Sequence, residues 1–362
     1  MNSDPTRLLI VDDSALYRQS IQNVLRDADD ARIVGIAKNG VEALDKIEEL
    51  DPDLLTLDVQ MPAMDGIQVL REIKRRRLRP KAIMLSSLTS EGAQVTTDAL
   101  MEGAFDFILK PSSSDSEANR RQLQESLKEK IAAFREASGR RRSRTRKTVS
   151  HRAVADKDVA EAAPTPSCPC QVVVIGASTG GPEAFKMVLP KLPAGLAVPV
   201  LIVQHMPAQF TASLASRLHE MCEVDVVEAE DKMQAVPGKL ILAPGGRQMK
   251  LARVGQKLIV RVNDDPPENG VRPSVDYLVR SAADIVQGNA LAVIMTGMGR
   301  DGLVGCRALK QAGGYVFAQS QGDCAVYGMP KAIVENGLAD RILPLGKISP
   351  AIVRHLKRSR RS

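Results

Sequence analysis

The stretch Val172-Val173-Val174-Ile175-Gly176-Ala177-Ser178-Thr179-Gly180-Gly181 joins a wholly apolar run to a glycine-rich turn, and a helix-like segment follows. A short β-branched run without polar alternation reads as a strand covered on both faces, as in parallel sheets flanked by helices. The surrounding region is therefore expected to be α/β. The turn has the G-x-S-x-G spacing of a nucleophile elbow, in the strand–turn–helix context that an elbow requires. Its glycines permit a sharp backbone and leave room for a substrate carbonyl. The N–H groups at the start of the following helix face developing negative charge. Ser178 is a candidate nucleophile, and the chain reads first as a serine hydrolase. A dinucleotide fingerprint fails here, because Ser178 stands where G-x-G-x-x-G needs its second glycine.

Working outward, the same α/β alternation fills the N-terminal third. Apolar runs at 7–11, 32–37, 53–57, 81–85 and 105–109 are separated by helical patterns, and a last helix is expected near 116–137. Five such units predict a flavodoxin-like parallel sheet of order 2-1-3-4-5 covered on both faces. Residues 139–170 break the pattern with basic residues and Pro164, Pro166 and Pro169, and read as an extended linker. Alternation resumes with strands expected near 171–175, 199–204, 240–242 and 290–296, and a hairpin near 248–252 and 257–262. The expected organisation is a first domain over 1–125 with its final helix reaching about 138, a linker over 139–170, a doubly wound α/β domain with a small antiparallel hairpin over 171–349, and a basic tail over 350–362.

Composition bounds the function. The net charge of +7 in 362 residues is unevenly spread. Residues 1–138 carry 19 Lys and Arg against 24 Asp and Glu, whereas 139–170 carry 8 against 3 and the last 13 residues five against none. The basic excess thus falls in the linker and tail, and ten aromatic residues without Trp offer little base stacking, so nucleic acid is not an expected partner. The linker reads first as a solvated tether. Its second reading, shared with the tail, is a weak electrostatic contact with acidic helices or an anionic membrane surface. No apolar run reaches the roughly 18 residues of a membrane span. The opening Met1-Asn2-Ser3-Asp4-Pro5 lacks the basic and apolar regions of a secretory signal, so a cytoplasmic protein is expected. Five cysteines form no disulfide framework, and Cys168-Pro169-Cys170 has no second pair to complete a zinc site.

Asp12 and Asp13 end the first predicted strand and Asp58 ends the third. In a 2-1-3-4-5 sheet these strands flank the switch point, where ligands bind at strand C-termini. Three converging carboxylates call for a hard cation, and Mg²⁺ suits oxygen donors. Lys110 and Ser86, at the ends of strands five and four, face the same crevice. Together with Met61-Pro62, Asp65-Gly66 and Pro111, these residues resemble the response-regulator receiver family across roughly 5–125. The resemblance implies that Asp58 accepts a phosphoryl group from a sensor histidine kinase, with Asp12 and Asp13 helping to hold Mg²⁺. It further implies Ser86 and Lys110 as the phosphate-sensing pair, Phe107 as the aromatic switch position, and a cis Lys110–Pro111 bond.

A nucleophilic serine needs a base. Of four histidines, His151 lies in the linker, His355 in the basic tail and His219 in the helical stretch Leu214–Met221. His205, directly after Val200-Leu201-Ile202-Val203-Gln204, shares the strand C-terminal rim with Ser178. The orienting acid is Asp301, in the loop Thr296-Gly297-Met298-Gly299-Arg300-Asp301-Gly302, or one of Asp264, Asp265 and Asp276. The order Ser…His…Asp differs from that of α/β-hydrolases, so a different sheet is expected.

These blocks, with Gln204-His205-Met206-Pro207 and Arg272-Pro273-Ser274-Val275-Asp276, resemble in order the catalytic domain of the CheB family of chemotaxis methylesterases. The resemblance implies Asp301 as the acid. It implies hydrolysis of γ-glutamyl methyl esters and deamidation of glutamines on chemotaxis receptors, restrained by the unmodified receiver and released by its phosphorylation. No cofactor is expected in the hydrolase site. The backbone N–H of Met298, with Thr179 nearby, is the expected oxyanion donor. The rival from another class is a response regulator whose output is binding to DNA or protein. Residues 171–362 show no helix-turn-helix pattern to support it.

Overall fold

The computed structural model describes residues 4–26, 28–146 and 169–359, which form two compact units on either side of residues 147–168. Those intervening residues, with His151, Pro164, Pro166 and Cys168, lie outside the described part.

The first unit runs β1 (Thr6–Val11), α1 (Ala15–Leu25), β2 (Ala31–Ala37), α2 (Gly40–Leu50), β3 (Leu54–Asp58), α3 (Gly66–Arg76), β4 (Lys81–Ser86), α4 (Ser90–Met101), β5 (Asp106–Leu109) and α5 (Ser116–Arg146). The strands pair in parallel in the order β2-β1-β3-β4-β5, as expected. Leu8, Leu9, Ile10, Leu54, Leu55 and Leu57 are inaccessible because helices cover both faces of the central strands. Each helix contributes a stripe at 3–4 residue spacing, such as Ala43, Leu44 and Ile47 on α2, or Leu123, Leu127, Ile131 and Phe134 on α5. Asp65 caps α3 through a capping box with Gln68, worth about 1 kcal/mol.

Helix α5 does not stop near residue 138. It continues to Arg146, so the first eight residues expected as linker are helical. Arginine is a good helix former, and no proline follows Pro111 until Pro164.

The second unit runs β6 (Val172–Ala177), α6 (Gly181–Val188), β7 (Val200–Gln204), α7 (Ala208–Met221), β8 (Asp225–Glu228), β9 (Lys239–Leu242), β10 (Gln248–Val254), β11 (Lys257–Asn263), α8 (Val275–Val286), β12 (Ala290–Ile294), α9 (Leu303–Gln311), β13 (Tyr315–Gln319), α10 (Met329–Glu335), β14 (Arg341–Leu343) and α11 (Leu345–Ser359). Seven strands pair in parallel in the order β14-β13-β12-β6-β7-β9-β8. β10 and β11 form the expected antiparallel hairpin, which packs on α8. The chain leaves β6 towards β7 on one side and returns as β12 on the other, so the switch point lies at β6 and β12. Strands β8, β13 and β14 add to those the sequence suggested.

The expected basic tail is largely the last helix. Ile348, Ile352 and Leu356 of α11 are buried at four-residue spacing, and the His355 ring lies 4.8 Å from Tyr315 and 5.8 Å from Phe317. Charge counting concealed this apolar stripe. Among the described residues no helix is long and apolar enough to cross a membrane.

Candidate active site and acidic cluster

Adjacent pairing of β1 and β3 brings the carboxylates that follow them together, and oxygen atoms of Asp12, Asp13 and Asp58 lie within 4.8 Å of one another. Lys110 Nζ stands 2.8 Å from Asp58 Oδ2 and 2.9 Å from Asp12 Oδ2, above the Tyr17 ring at 4.6 Å from its centroid. Gly66 lets α3 begin against this cluster, since a Cβ there would sit 2.3 Å from the Asp58 carbonyl oxygen. Burial pushes the Asp58 carboxyl up to about 6, against the opposing pull of Lys110 and with help from the Asp12 and Asp13 charges. Burial would depress Lys110, but its bonds to Asp58 and Asp12 outweigh that and hold its ammonium above the ordinary lysine value. Asp12 Oδ2 is sealed from water and has no hydrogen bond, only the ion-pair contact with Lys110. An oxygen-only set, with a buried Asp12 oxygen whose one contact is the Lys110 ammonium, fits a hard divalent cation.

Ser86 lies at the end of β4, but its hydroxyl is engaged elsewhere. It contacts the Ser87 and Gly92 carbonyls at 3.2 and 3.3 Å and accepts from Thr96 Oγ1 at 2.7 Å. Phe107 is half-buried on β5. The Lys110–Pro111 bond is trans, contrary to expectation, and Arg272–Pro273 is the cis bond among the described residues. Lys110 reaches both carboxylates with the trans peptide, the form ordinarily favoured by about 0.5–1 kcal/mol.

In the second unit, β6 delivers Ser178 and its neighbour β7 delivers His205, whose N–H bonds the Ala177 carbonyl at 3.3 Å. The elbow bends at Gly180, with φ at +77°. A Cβ at Gly180 would lie 2.4 Å from Ala325 Cβ. The Ser178 N–H bonds the Thr296 carbonyl at 3.0 Å, tying the elbow to the loop after β12. That loop carries Met298, half-buried, and Asp301, which is 3% exposed.

His205 Nε2 and Asp301 Oδ2 are 2.8 Å apart. Asp301 is seated on the N-terminus of α8. Its Oδ1 accepts from Ser274 Oγ at 2.9 Å and from the Asp276 and Gly302 N–H groups at 3.0 Å each, and its Oδ2 accepts from the Val275 N–H at 2.7 Å. Burial alone would raise this carboxyl. The bond and charge of His205, with the Asp276 and Val275 amides, outweigh burial and hold it below the ordinary carboxylate value. The Ser178 hydroxyl and His205 Nδ1 make no hydrogen bond among the described residues.

The rival acids are otherwise engaged. Asp264 pairs with Arg247, Asp265 accepts from the Tyr277 hydroxyl, and Asp276 accepts from the Gly305 N–H at 2.6 Å and Asn269 Nδ2 at 2.9 Å. Sequence reasoning gave Ser274 no role, yet it both caps α8 and donates to Asp301. A serine directly ahead of a helix-like stretch was the available signal. His219 sits on α7 with Nδ1 accepting from the Val226 N–H, and His355 is in α11, so neither approaches the elbow's partners.

Comparison with known proteins agrees with this layout. Residues 8–132 match the response regulator receiver domain model and residues 173–352 the CheB methylesterase model. Similar curated proteins are the protein-glutamate methylesterase/protein-glutamine glutaminase of Desulfotalea psychrophila, 45% identical over 97% of this chain and 98% of its own, and that of Bacillus subtilis, 42% identical over 98% and 99%. The crystal structure of the Thermotoga maritima CheB methylesterase catalytic domain is 42% identical, with a TM-score of 0.50, covering 51% of this chain and 97% of its own. The chain therefore belongs to the protein-glutamate methylesterase/protein-glutamine glutaminase family, with a receiver domain ahead of a CheB methylesterase domain.

Proposed function

We propose that this chain is a phosphorylation-regulated serine hydrolase that demethylates γ-glutamyl methyl esters and deamidates glutamines on methyl-accepting chemotaxis receptors. The family supports the substrate class, and the His205–Asp301 bond beside the Ser178 elbow carries the chemistry. With Nε2–H donated to Asp301, the neutral His205 ring presents Nδ1 as the base. It takes the Ser178 proton as Oγ attacks the side-chain carbonyl. Catalytic hydrogen bonds that are open without substrate tighten when it binds. Asp301 holds the tautomer and stabilises the imidazolium. The Met298 N–H, with Thr179, offsets the oxyanion charge. His205 returns the proton to departing methanol or ammonia, and water then resolves the acyl-enzyme to glutamate by the reverse relay.

In the receiver, Asp58 is the proposed phosphoryl acceptor from a histidine kinase, with Lys110 countering charge on the transferred group. Asp12, Asp13 and Asp58 would hold Mg²⁺, which when bound supplies charge compensation at the phosphoryl oxygens. Ser86 would leave Thr96 and Gly92 to meet the phosphate, with Phe107 following as the aromatic switch. The test is methanol release from methylated receptor with and without a small-molecule phosphodonor. Ser178→Ala is expected to abolish release, and retained release would overturn the reading.

A further inference from the structure

Gln204 closes β7, directly before His205, and is only 2% exposed. Its Nε2 donates to the Ser178 carbonyl at 2.9 Å and approaches the His205 carbonyl at 3.5 Å. The Ser178 carbonyl accepts a second bond from the Gly181 N–H at 2.8 Å. The other end of the amide is different: Oε1 is buried without a hydrogen-bond partner. It lies against Gly181, where a Cβ would come within 1.9 Å of it. Two carbonyls facing the nitrogen fix which end of the amide is which.

A trans peptide is planar, so the Ser178 carbonyl and the Thr179 N–H belong to one rigid unit and point in opposite directions. A donor that holds the carbonyl on the strand side therefore aims the Thr179 N–H to the opposite side. In a nucleophile elbow, the N–H of the residue after the nucleophile is an oxyanion donor. We infer that Gln204 is a positioning residue, whose buried amide clamps the Ser178–Thr179 peptide so that the Thr179 N–H is preset for the oxyanion.

This inference rests on Ser178 being the nucleophile. The orphaned Oε1 strengthens it, because a buried carbonyl oxygen without a donor disfavours the fold. An apolar side chain of the same shape would serve packing at least as well. The amide is thus explained by what its nitrogen holds.

The experiment replaces Gln204 in the full chain by the near-isosteric Gln204→Met. Methanol release from methylated receptor should show kcat lowered about 10- to 100-fold with KM unchanged, short of the loss from removing an oxyanion donor outright. The melting temperature of the catalytic unit should be equal or higher. A boronic acid that forms a tetrahedral adduct on Ser178 should lose affinity by the same factor as kcat. Gly181→Ala, which displaces the amide without removing it, should reproduce the kcat and boronate losses and stands in if Gln204→Met does not fold. An unchanged kcat, or a loss confined to KM, or boronate affinity untouched in the folded protein, would overturn the role of Gln204. Retained activity in Ser178→Ala would instead reject the hydrolase reading beneath it.

Discussion

Both sheets bury an aspartate at their C-terminal edge, and although burial pushes both carboxyls up, their surroundings leave the two shifted in opposite senses. Asp58 is pushed up to about 6, while Asp301 is held below the ordinary range. The difference lies in what surrounds each. Asp58 shares its crevice with two more carboxylates and one ammonium, so the cluster remains short of positive charge. Asp301 receives three backbone N–H groups, a serine hydroxyl and an imidazole, and sits on a helix N-terminus. One carboxylate is satisfied by its own chain and suits a fixed orienting role. The other is left reactive and suited to charge supplied from outside, as a phosphoryl acceptor requires. Desolvation alone does not distinguish these roles; the donor count does.

The comparison breaks most severely if the hydrolase side is wrong. Ser178→Ala should lower methanol release about 10⁶-fold, leaving phosphoryl uptake at Asp58 intact. Asp301→Asn should lower kcat about 10⁴-fold by favouring the wrong tautomer. It should also destabilise the catalytic unit by about 2–4 kcal/mol, because an amide NH₂ would face donors. The Asp301 carboxyl is held low, so its stabilisation is complete above the unfolded value near 3.9 and is lost as pH falls through the folded value. Calorimetry at pH 7 checks the sign, and an unchanged Asp301→Asn melting temperature would contradict the donor argument.

Asp58→Asn should do the reverse in the receiver. Measured without divalent cation at pH 7, it should stabilise that unit by about 1–2 kcal/mol, by removing one of three crowded charges. It should abolish stimulation by phosphodonor while basal esterase persists, since the phosphate must favour the active arrangement by a few kcal/mol to act at all. Equal stimulation of the variant would remove Asp58 from its role. Destabilisation instead of stabilisation would erase the contrast with Asp301.

Most of this contrast was legible in the sequence, because strand ends carry their chemistry visibly. Asp12, Asp58, Ser178 and His205 each close or directly follow an apolar run, and switch-point logic predicts that such residues meet. What was not legible depends on the donors, which come from remote segments. Nothing near Asp301 in the chain announces that the start of α8 will seat it. β14 is only three residues long and β8, Asp225–Glu228, holds just two apolar residues, so neither offers a run that periodicity detects. β13, Tyr315–Gln319, is readable between Gly314 and Ser320 as an apolar run and lies one strand in from the sheet edge, between β12 and β14. The basic residues after 138 weigh against helix in the sequence although arginine favours it, and those after 350 read as a tail because they hide the apolar stripe of α11.

His355 supplies a third case for the comparison, a buried ionisable group that burial does overcome. Its ring lies against Tyr315 and Phe317, and desolvation, with Arg358 adding to it against the pull of Asp340, lowers it to about 4. A histidine depressed in this way is neutral in the folded chain while its unfolded counterpart, near 6.5, takes up a proton. Stability of the catalytic unit should therefore be complete above pH 6.5 and should decline as pH falls from 6.5 towards 4. The total loss from this group is roughly 3 kcal/mol, at no more than about 1.4 kcal/mol per pH unit. His355→Phe keeps an aromatic ring against the same neighbours and removes the titration. Urea midpoints followed from pH 7 to 4.5 should converge or cross, with the variant losing less than the parent. Every other ionisable group is common to both proteins and cancels in the difference. Parallel curves would show that the ring takes its proton inside the fold, and that contact with two aromatic faces and a nearby carboxylate is enough to hold a charge.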